Sequence, residues 1–187
     1  MRDRIIRAAL PVFAAKGPDA PVIDDFIRAA DIARGTFYRH FRTVDALRAA
    51  TASSLEESVM QAIEEKVRAI ARPDMRLATG VRTWLAHARR DPVLCAFIVR
   101  NRLRVRIVER RVATDIGAGM RAGQFRIGSV SAGRDLLIGT IREAMARMMD
   151  GTVSRRYLDN VAASILRGLG VDGESVRELM ALPLPRI

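Results

Sequence analysis

A chain of 187 residues with 49% hydrophobic content is long enough for one large or two small domains with a buried core, and too apolar to be wholly disordered. Its one cysteine, Cys95, excludes an internal disulfide framework or a multi-cysteine metal site, and no apolar run approaches the roughly 18–20 residues of a membrane span. The net charge of +11 favours an anionic partner, but residues 1–47 hold only eight basic against six acidic residues, so most of the excess lies further along and serves solubility as readily as binding.

The first expected helix spans 2–16, with Ile6, Ala9, Leu10 and Phe13 on one apolar face. Pro11 falls inside it, and Lys16 followed by Gly17-Pro18 ends it. Residues 22–30 read as a second helix with Ile23, Phe26, Ile27 and Ala30 inward. Pro21 stands at its start, where no backbone donor is needed, and Asp24 and Asp25 suit the positive end of its dipole. Asp31-Ile32 turns the chain into a short third helix. There Ala33, Phe37 and Phe41 form one apolar stripe at four-residue spacing, while Gly35, Thr36, Tyr38, Arg39 and Arg42 point away from it. Glycine lets a backbone come close, and arginines and hydroxyls bond phosphates and base edges, so that face suits a DNA major groove.

Helix, tight turn and aromatic-anchored helix amount to a helix-turn-helix. The run Gly35-Thr36-Phe37-Tyr38-Arg39-His40-Phe41, with Ala29-Ala30-Asp31-Ile32 before it and Leu47 after, resembles the signature of the tetracycline-repressor-like (TetR) regulators over residues 2–47. The resemblance implies that Tyr38 and His40 touch DNA phosphates, that Arg34, Gly35, Thr36 and Arg39 face the groove, and that an α-helical effector and dimerisation domain follows. Three positions depart from the family pattern. Pro21 replaces a phosphate-bonding Thr, Ala33 a capping Ser, and Val44 a phosphate-contacting Lys, so fewer phosphate contacts are expected, and with them a shallower salt dependence or weaker binding than is typical of the family. Without the motif, Tyr38 would read as a half-exposed aromatic closing a small core, His40 as a packing residue, and Arg39 and Arg42 as solvated. With only Met1 before the first helix, no minor-groove arm is expected.

A long helix capped by Thr43 runs toward Arg72-Pro73, with Leu47, Leu55, Val59, Ile63 and Val67 at helical spacing. Helical periods continue over 74–90, 92–104, 105–122, 131–150, 154–169 and 175–181, broken at Asp91-Pro92, 123–128, Asp150-Gly151 and 170–173, with no strand-like alternation or internal repeat. The expected fold is therefore all-α. A helix-turn-helix DNA-binding domain occupies 1–47 and a helical effector-binding and dimerisation domain 48–187.

Leu136, Leu137, Ile141, Met145 and Met148 on one helix, with Val161, Ile165, Leu166 and Leu169 on another, fit half of a four-helix dimer interface; the alternative is a monomer's internal core. Met60, Trp84, His87, Phe97, Met120, Phe125 and Met145 are candidate lining of an effector cavity, each also readable as ordinary core. Cys95 reads as a small buried hydrophobe. The arginine run Arg100, Arg102, Arg104, Arg106, Arg110 and Arg111 reads first as a solvated face. Its alternative is an anionic effector held by one or two of them, Arg100 foremost.

The expected protein is a cytoplasmic, homodimeric, one-component regulator, a repressor that binds a palindromic double-stranded operator and is released by a small molecule, with no cofactor, metal or membrane partner. The rivals are a ligand-independent DNA-binding protein and an enzyme carrying a helix-turn-helix. For the latter the sequence offers no phosphate-binding glycine loop, no metal-ligand spacing and no triad, with only His40 and His87 available.

Overall fold

A computed structural model describes residues 1–103, 106–151 and 153–184; Arg104 of the arginine run lies outside them. The described residues form ten helices and no strand, as expected of an all-α chain: α1 (Arg2–Lys16), α2 (Ile23–Ala30), α3 (Arg34–His40), α4 (Val44–Val67), α5 (Pro73–Arg90), α6 (Pro92–Arg100), α7 (Arg106–Arg121), α8 (Val130–Asp150), α9 (Arg155–Gly168) and α10 (Gly173–Ala181). No helix is long and apolar enough to cross a membrane among these residues.

The chain divides into two compact units. One is Met1–Val59 with the described part of 91–105, the other Met60–Arg90 with the described residues from Arg106 onward. This division differs from the boundary expected after residue 47, for a reason visible at α6. Asn101 Nδ2 donates to the Phe13 and Phe97 carbonyls at 3.3 and 2.9 Å. The Arg100 guanidinium donates to the carbonyls of Ala14 and Ala15, the last-turn acceptors that α1 cannot satisfy itself. Segment 92–103 is thus the strap that closes α1, although nothing in its period distinguishes it from its neighbours.

The core of the first unit is a chain of rings. Phe13 meets Phe26 and Phe97 at centroid distances of 4.8 and 6.0 Å, Phe26 meets Phe37 at 6.4 Å, and Phe37 meets Phe41 at 6.2 Å. Four of the five have no exposed surface, and each such burial is worth about 1.5–3 kcal/mol. Pro11 sits inside α1 on its exposed side, so water can satisfy the carbonyl left without a proline N–H, and the helix runs on to Lys16.

Pro21 does not open α2. Val22 is the cap, because its N–H donates to the Asp25 carboxylate at 2.8 Å, and Pro21 precedes the cap as a buried residue. At the other end, Asp31 adopts the left-handed region (φ 49°) and donates to the Arg28 carbonyl, while Ile32 N–H reaches the Ile27 carbonyl. This is the paired geometry of a Schellman stop, with Ile27 and Ile32 both packed on the ring cluster.

In the second unit α5, α7, α8 and α9 pack together with α10. Its helix starts are chemically marked: Ser129 caps α8 through Ala132 N, Ser154 caps α9 through Tyr157 N, and Asp172 caps α10 through Glu174 and Ser175 N. Arg82, 7% exposed, donates to the carbonyls of Leu179 and Leu182 and so ends α10.

Candidate functional site

With Phe37 and Phe41 locked in the ring cluster, the rest of α3 has nowhere to point but outward. Arg34, Gly35, Tyr38, Arg39, His40 and Arg42 are exposed, and Thr36 is half-buried. Tyr38, 46% exposed, stands edge-on to Phe37 at 5.7 Å, so its ring is braced on one side while much of the side chain stays open to solvent. Arg39 donates to Thr36 Oγ1 at 3.3 Å, and Arg34 pairs with Asp24 of α2. A Cβ on Gly35 would meet nothing within 4 Å, and its φ is not in the left-handed region. The fold itself therefore does not require glycine there.

Of the three positions that depart from the family pattern, Ala33 caps α3 without a side-chain bond. Val44 is half-buried at the start of α4, where Thr43 Oγ1 accepts from Ala46 N at 3.0 Å. Pro21 is buried. None of the three presents a polar group.

The second unit holds a cavity with about 540 Å³ of empty space, its mouth included, between the last turns of α4 and helices α5, α7 and α8. The wall is mostly apolar, with Met60, Trp84, Leu137 and Ile141 among the lining. At one pole four charged groups gather. Arg76 Nε donates to Asp115 Oδ1 at 2.8 Å and its NH1 to the Ile70 carbonyl at 3.0 Å. Arg111 reaches Glu64 at 3.4 Å, and its Nε lies 3.8 Å from Asp115 Oδ2. That distance is an ion pair but not a hydrogen bond, and Arg111 Nε is buried with no hydrogen-bond partner. Asp115 itself is 5% exposed.

Of the residues anticipated for such a cavity, the structure brings Met60 and Trp84 to this wall and not the others. Phe97 belongs to the ring cluster and Arg100 closes α1, so neither is free for an effector. Phe125 is seated on the bare backbone of Gly119, and Met145 is fully buried core. His87 stands beside Trp84 at 6.1 Å between rings, and Met120 is half-buried on α7; neither lines the cavity. Arg102, Arg106 and Arg110 are exposed, which leaves Arg111, among the described residues, as the member of the arginine run that reaches the cavity. Arg76, Asp115 and Glu64 were not anticipated. The available signal was the spacing of Arg111 and Asp115, four apart on one helix face, with the acid adjoining apolar Ile116.

The residues expected at a dimer face are largely buried within the single chain. Leu137, Ile165, Leu166 and Leu169 are at most 1% exposed within a single chain, Ile141 and Val161 are below 10%, and Leu137 and Ile141 line the cavity. Leu136 covers Gly168 of α9, where a Cβ would lie 2.9 Å from its Cδ1, and Met148 is half-buried. Most of this set is spent joining α8 to α9. Cys95 is buried, and burial pushes its thiol up to about 11, so it is an inert packing group.

The model of the family described as bacterial regulatory proteins, tetR family, matches residues 5–51, the α1–α3 unit with the start of α4. An uncharacterised helix-turn-helix transcriptional regulator of Mycobacterium tuberculosis is 30% identical over 100 residues, 54% of this chain and 50% of that protein. The chain spans about half the length of the curated relatives it matches first. Among solved structures, RolR bound to resorcinol superposes with a TM-score of 0.70 at 25% identity, over all of this chain and 95% of RolR. FadR of Bacillus subtilis, solved with stearoyl-CoA, gives 0.76 at 19% identity over 90% of this chain and 99% of FadR, and shows likeness of fold.

Proposed function

Since this chain belongs to the TetR family of bacterial transcriptional regulators, we propose that it acts as a homodimeric, one-component repressor that a small molecule releases from a palindromic operator. The observation that carries the reading is the outward row on α3. Gly35, Thr36, Tyr38, Arg39 and His40 offer a bare backbone approach, two hydroxyls and cationic or hydrogen-bonding heads, on a helix fixed by Phe37 and Phe41. In this reading Tyr38 and His40 bond phosphates, and Arg34 leaves Asp24 to join Arg39 and Arg42 at the DNA. Gly35 is bare so that the DNA can approach, since the fold gives it no other duty.

One short helix reads too few base pairs for a unique site, which is the reason for a dimer with half-sites about one DNA turn apart. Because the buried faces of α8 and α9 are spent within the chain, the second copy would dock on their outward faces, where Gly139 and Ser164 are exposed. In this reading residues 1–47 read DNA, braced by the first part of α4 and by 92–103, and the rest of 48–187 serves effector and partner. The switch uses α4, whose first part belongs to the DNA-reading unit and whose last turns line the cavity. A ligand that favours one placement of those turns shifts the population of the DNA-competent form. The resorcinol carried by RolR supports a small-molecule effector. The protein works in the cytoplasm and no catalytic step is involved.

The test is a fluorescence titration onto labelled DNA from upstream of its own gene, at near-physiological salt with excess unrelated DNA. Wild type should bind tightly as two protomers per site, and Tyr38→Ala/Arg39→Ala should lose at least about tenfold, two contacts at about 1–3 kcal/mol each. Binding that competitor DNA removes from wild type and variant alike would overturn the reading for that site.

A further inference from the structure

The polar pole of the cavity has a chemistry more specific than "effector". On the reading that this cavity takes the regulator's ligand, we propose that it selects a neutral, single-ring-sized, largely apolar molecule bearing a hydroxyl group, and that Arg111 Nε and Asp115 Oδ2 share that hydroxyl.

Three observations converge. The first is charge balance: Arg76 and Arg111 stand with Asp115 and Glu64, two cations with two carboxylates, all on the cavity wall. An anionic ligand would find no net attraction there, and to reach Arg111 Nε it would have to come beside Asp115, where like charge repels it. This argues against the anionic effector considered for the arginine run.

The second is an unmet donor. Arg111 Nε is buried without a hydrogen-bond partner, an unfavourable state that an incoming acceptor relieves. Its neighbour Asp115 already spends Oδ1 on Arg76, while Oδ2 sits 3.8 Å from Arg111 Nε, too far to bond it. A small shift of the Arg111 side chain, which is 39% exposed, would admit a single oxygen about 2.8 Å from both, to accept from the guanidinium and donate its proton to the carboxylate. A hydroxyl does both jobs with one atom. A carboxylate lacks the proton, and a hydrocarbon lacks both.

The third is the remainder of the wall. Met60, Ile63, Val81, Trp84 and Ile141 are apolar or aromatic, suited to a ring or short aliphatic body. The enclosed part is about 70 Å³, below the roughly 150 Å³ of a cavity that takes benzene, so the ring would lie partly in the mouth, which brings the open space to about 540 Å³. Arg76, held by Asp115 and the Ile70 carbonyl, fixes the carboxylate rather than receiving the ligand.

Trp84, the only tryptophan, lies in the cavity wall and reports occupancy without DNA. Full-length protein is titrated at neutral pH with phenol, cyclohexanol, toluene and benzoate, following Trp84 emission, with thermal shift as a second readout. Phenol and cyclohexanol, whose hydroxyls stay protonated at that pH, should give saturable changes, at least tenfold tighter than toluene or benzoate; the stronger of the two decides whether the natural body is aromatic or aliphatic. Arg111→Met, which removes the donor at a partly exposed position but keeps the stem, should lower hydroxyl affinity at least tenfold and leave toluene unchanged. Asp115→Asn should do the same if it folds, and Arg111→Met decides the matter if it does not. Benzoate binding as tightly as phenol, toluene binding as tightly as either alcohol, or unchanged affinities in Arg111→Met each overturn the proposal. Operator binding with no saturable probe response also overturns it and leaves the regulator standing; a probe response without operator binding does the reverse.

Discussion

Two glycines show how differently the same residue can be used. Gly119 is part of the packing: a Cβ there would fall 2.3 Å from the Phe125 ring, and Phe125 N–H is bonded to the Gly119 carbonyl at 3.2 Å. Neither ring nor backbone can retreat cheaply, so Gly119→Ala should destabilise the protein by about 1–3 kcal/mol through overpacking, read as a lowered denaturant midpoint at unchanged slope. Gly35 is the opposite case, with open space around it inside a helix. There alanine should hold or raise stability, by up to about 1 kcal/mol from helix propensity, while weakening operator affinity at least about tenfold if the DNA backbone passes over it. A Gly35→Ala protein that is stable and binds operator normally would remove the close-approach role. Position in the sequence separates the two only in part. The motif around Gly35 is local and legible, whereas the partner of Gly119 is known only once the turn 122–125 folds back.

At the scale of elements, the start of α2 carries a small electrostatic device. Hydrogen bonding from Lys16, at 2.7 Å, and from the Val22 N–H holds the Asp25 carboxyl below the usual carboxylate range. A depressed folded pKa means that the unfolded chain binds the proton first as pH falls. The contribution is therefore full above the unfolded value, near 3.8, and is lost as pH drops through the folded value. Asp25→Asn should accordingly be less stable than wild type at pH 7, with the gap closing on acidification below about 4 as the wild-type carboxyl becomes protonated and neutral like the amide. A gap that persists undiminished at pH 2–3 would assign the loss to packing. Lys16 ends α1 and Asp25 begins α2, so this pair ties the braces of the reading helix together. The helices themselves were legible because apolar period, caps and stops agree along the chain: Asp172 caps within the break at 170–173, and Ser129 and Ser154 cap just beyond the breaks at 123–128 and Asp150-Gly151. Allegiance was not legible. α6 has the apolar content of any core helix, and the packing of Phe97 on Phe13 with the Arg100 and Asn101 bonds to α1 carbonyls places it in the DNA-reading unit. The leucines and isoleucines of α8 and α9 likewise show a buried face, and an apolar stripe reads the same whether its cover comes from its own chain or a second copy.

For the whole molecule, the proposals meet in one thermodynamic constraint. If a ligand in the cavity and the operator favour different states of the same protein, the factor by which one weakens the other must be reciprocal. Coupling of about 1–3 kcal/mol, roughly 5–150-fold, is the usual range. The fold-change in phenol affinity, read through Trp84 with and without saturating operator, should therefore equal the fold-change in operator affinity with and without saturating phenol. Salt provides a separate handle. Phosphate contacts steepen the salt dependence of DNA binding by close to one unit per contact, whereas a neutral ligand releases few counterions. With Pro21 buried, Val44 half-buried and Ala33 without a polar group, the operator slope should come from the arginines beside Tyr38 and His40. Removing Tyr38 should shift affinity with little change in slope, since an uncharged hydroxyl releases few ions, while Arg39→Ala should flatten it. The two coupling factors, measured at one salt concentration, should agree within error. If they do not, the phenol signal and the DNA signal come from different populations of protein, and α4 is not the link between them.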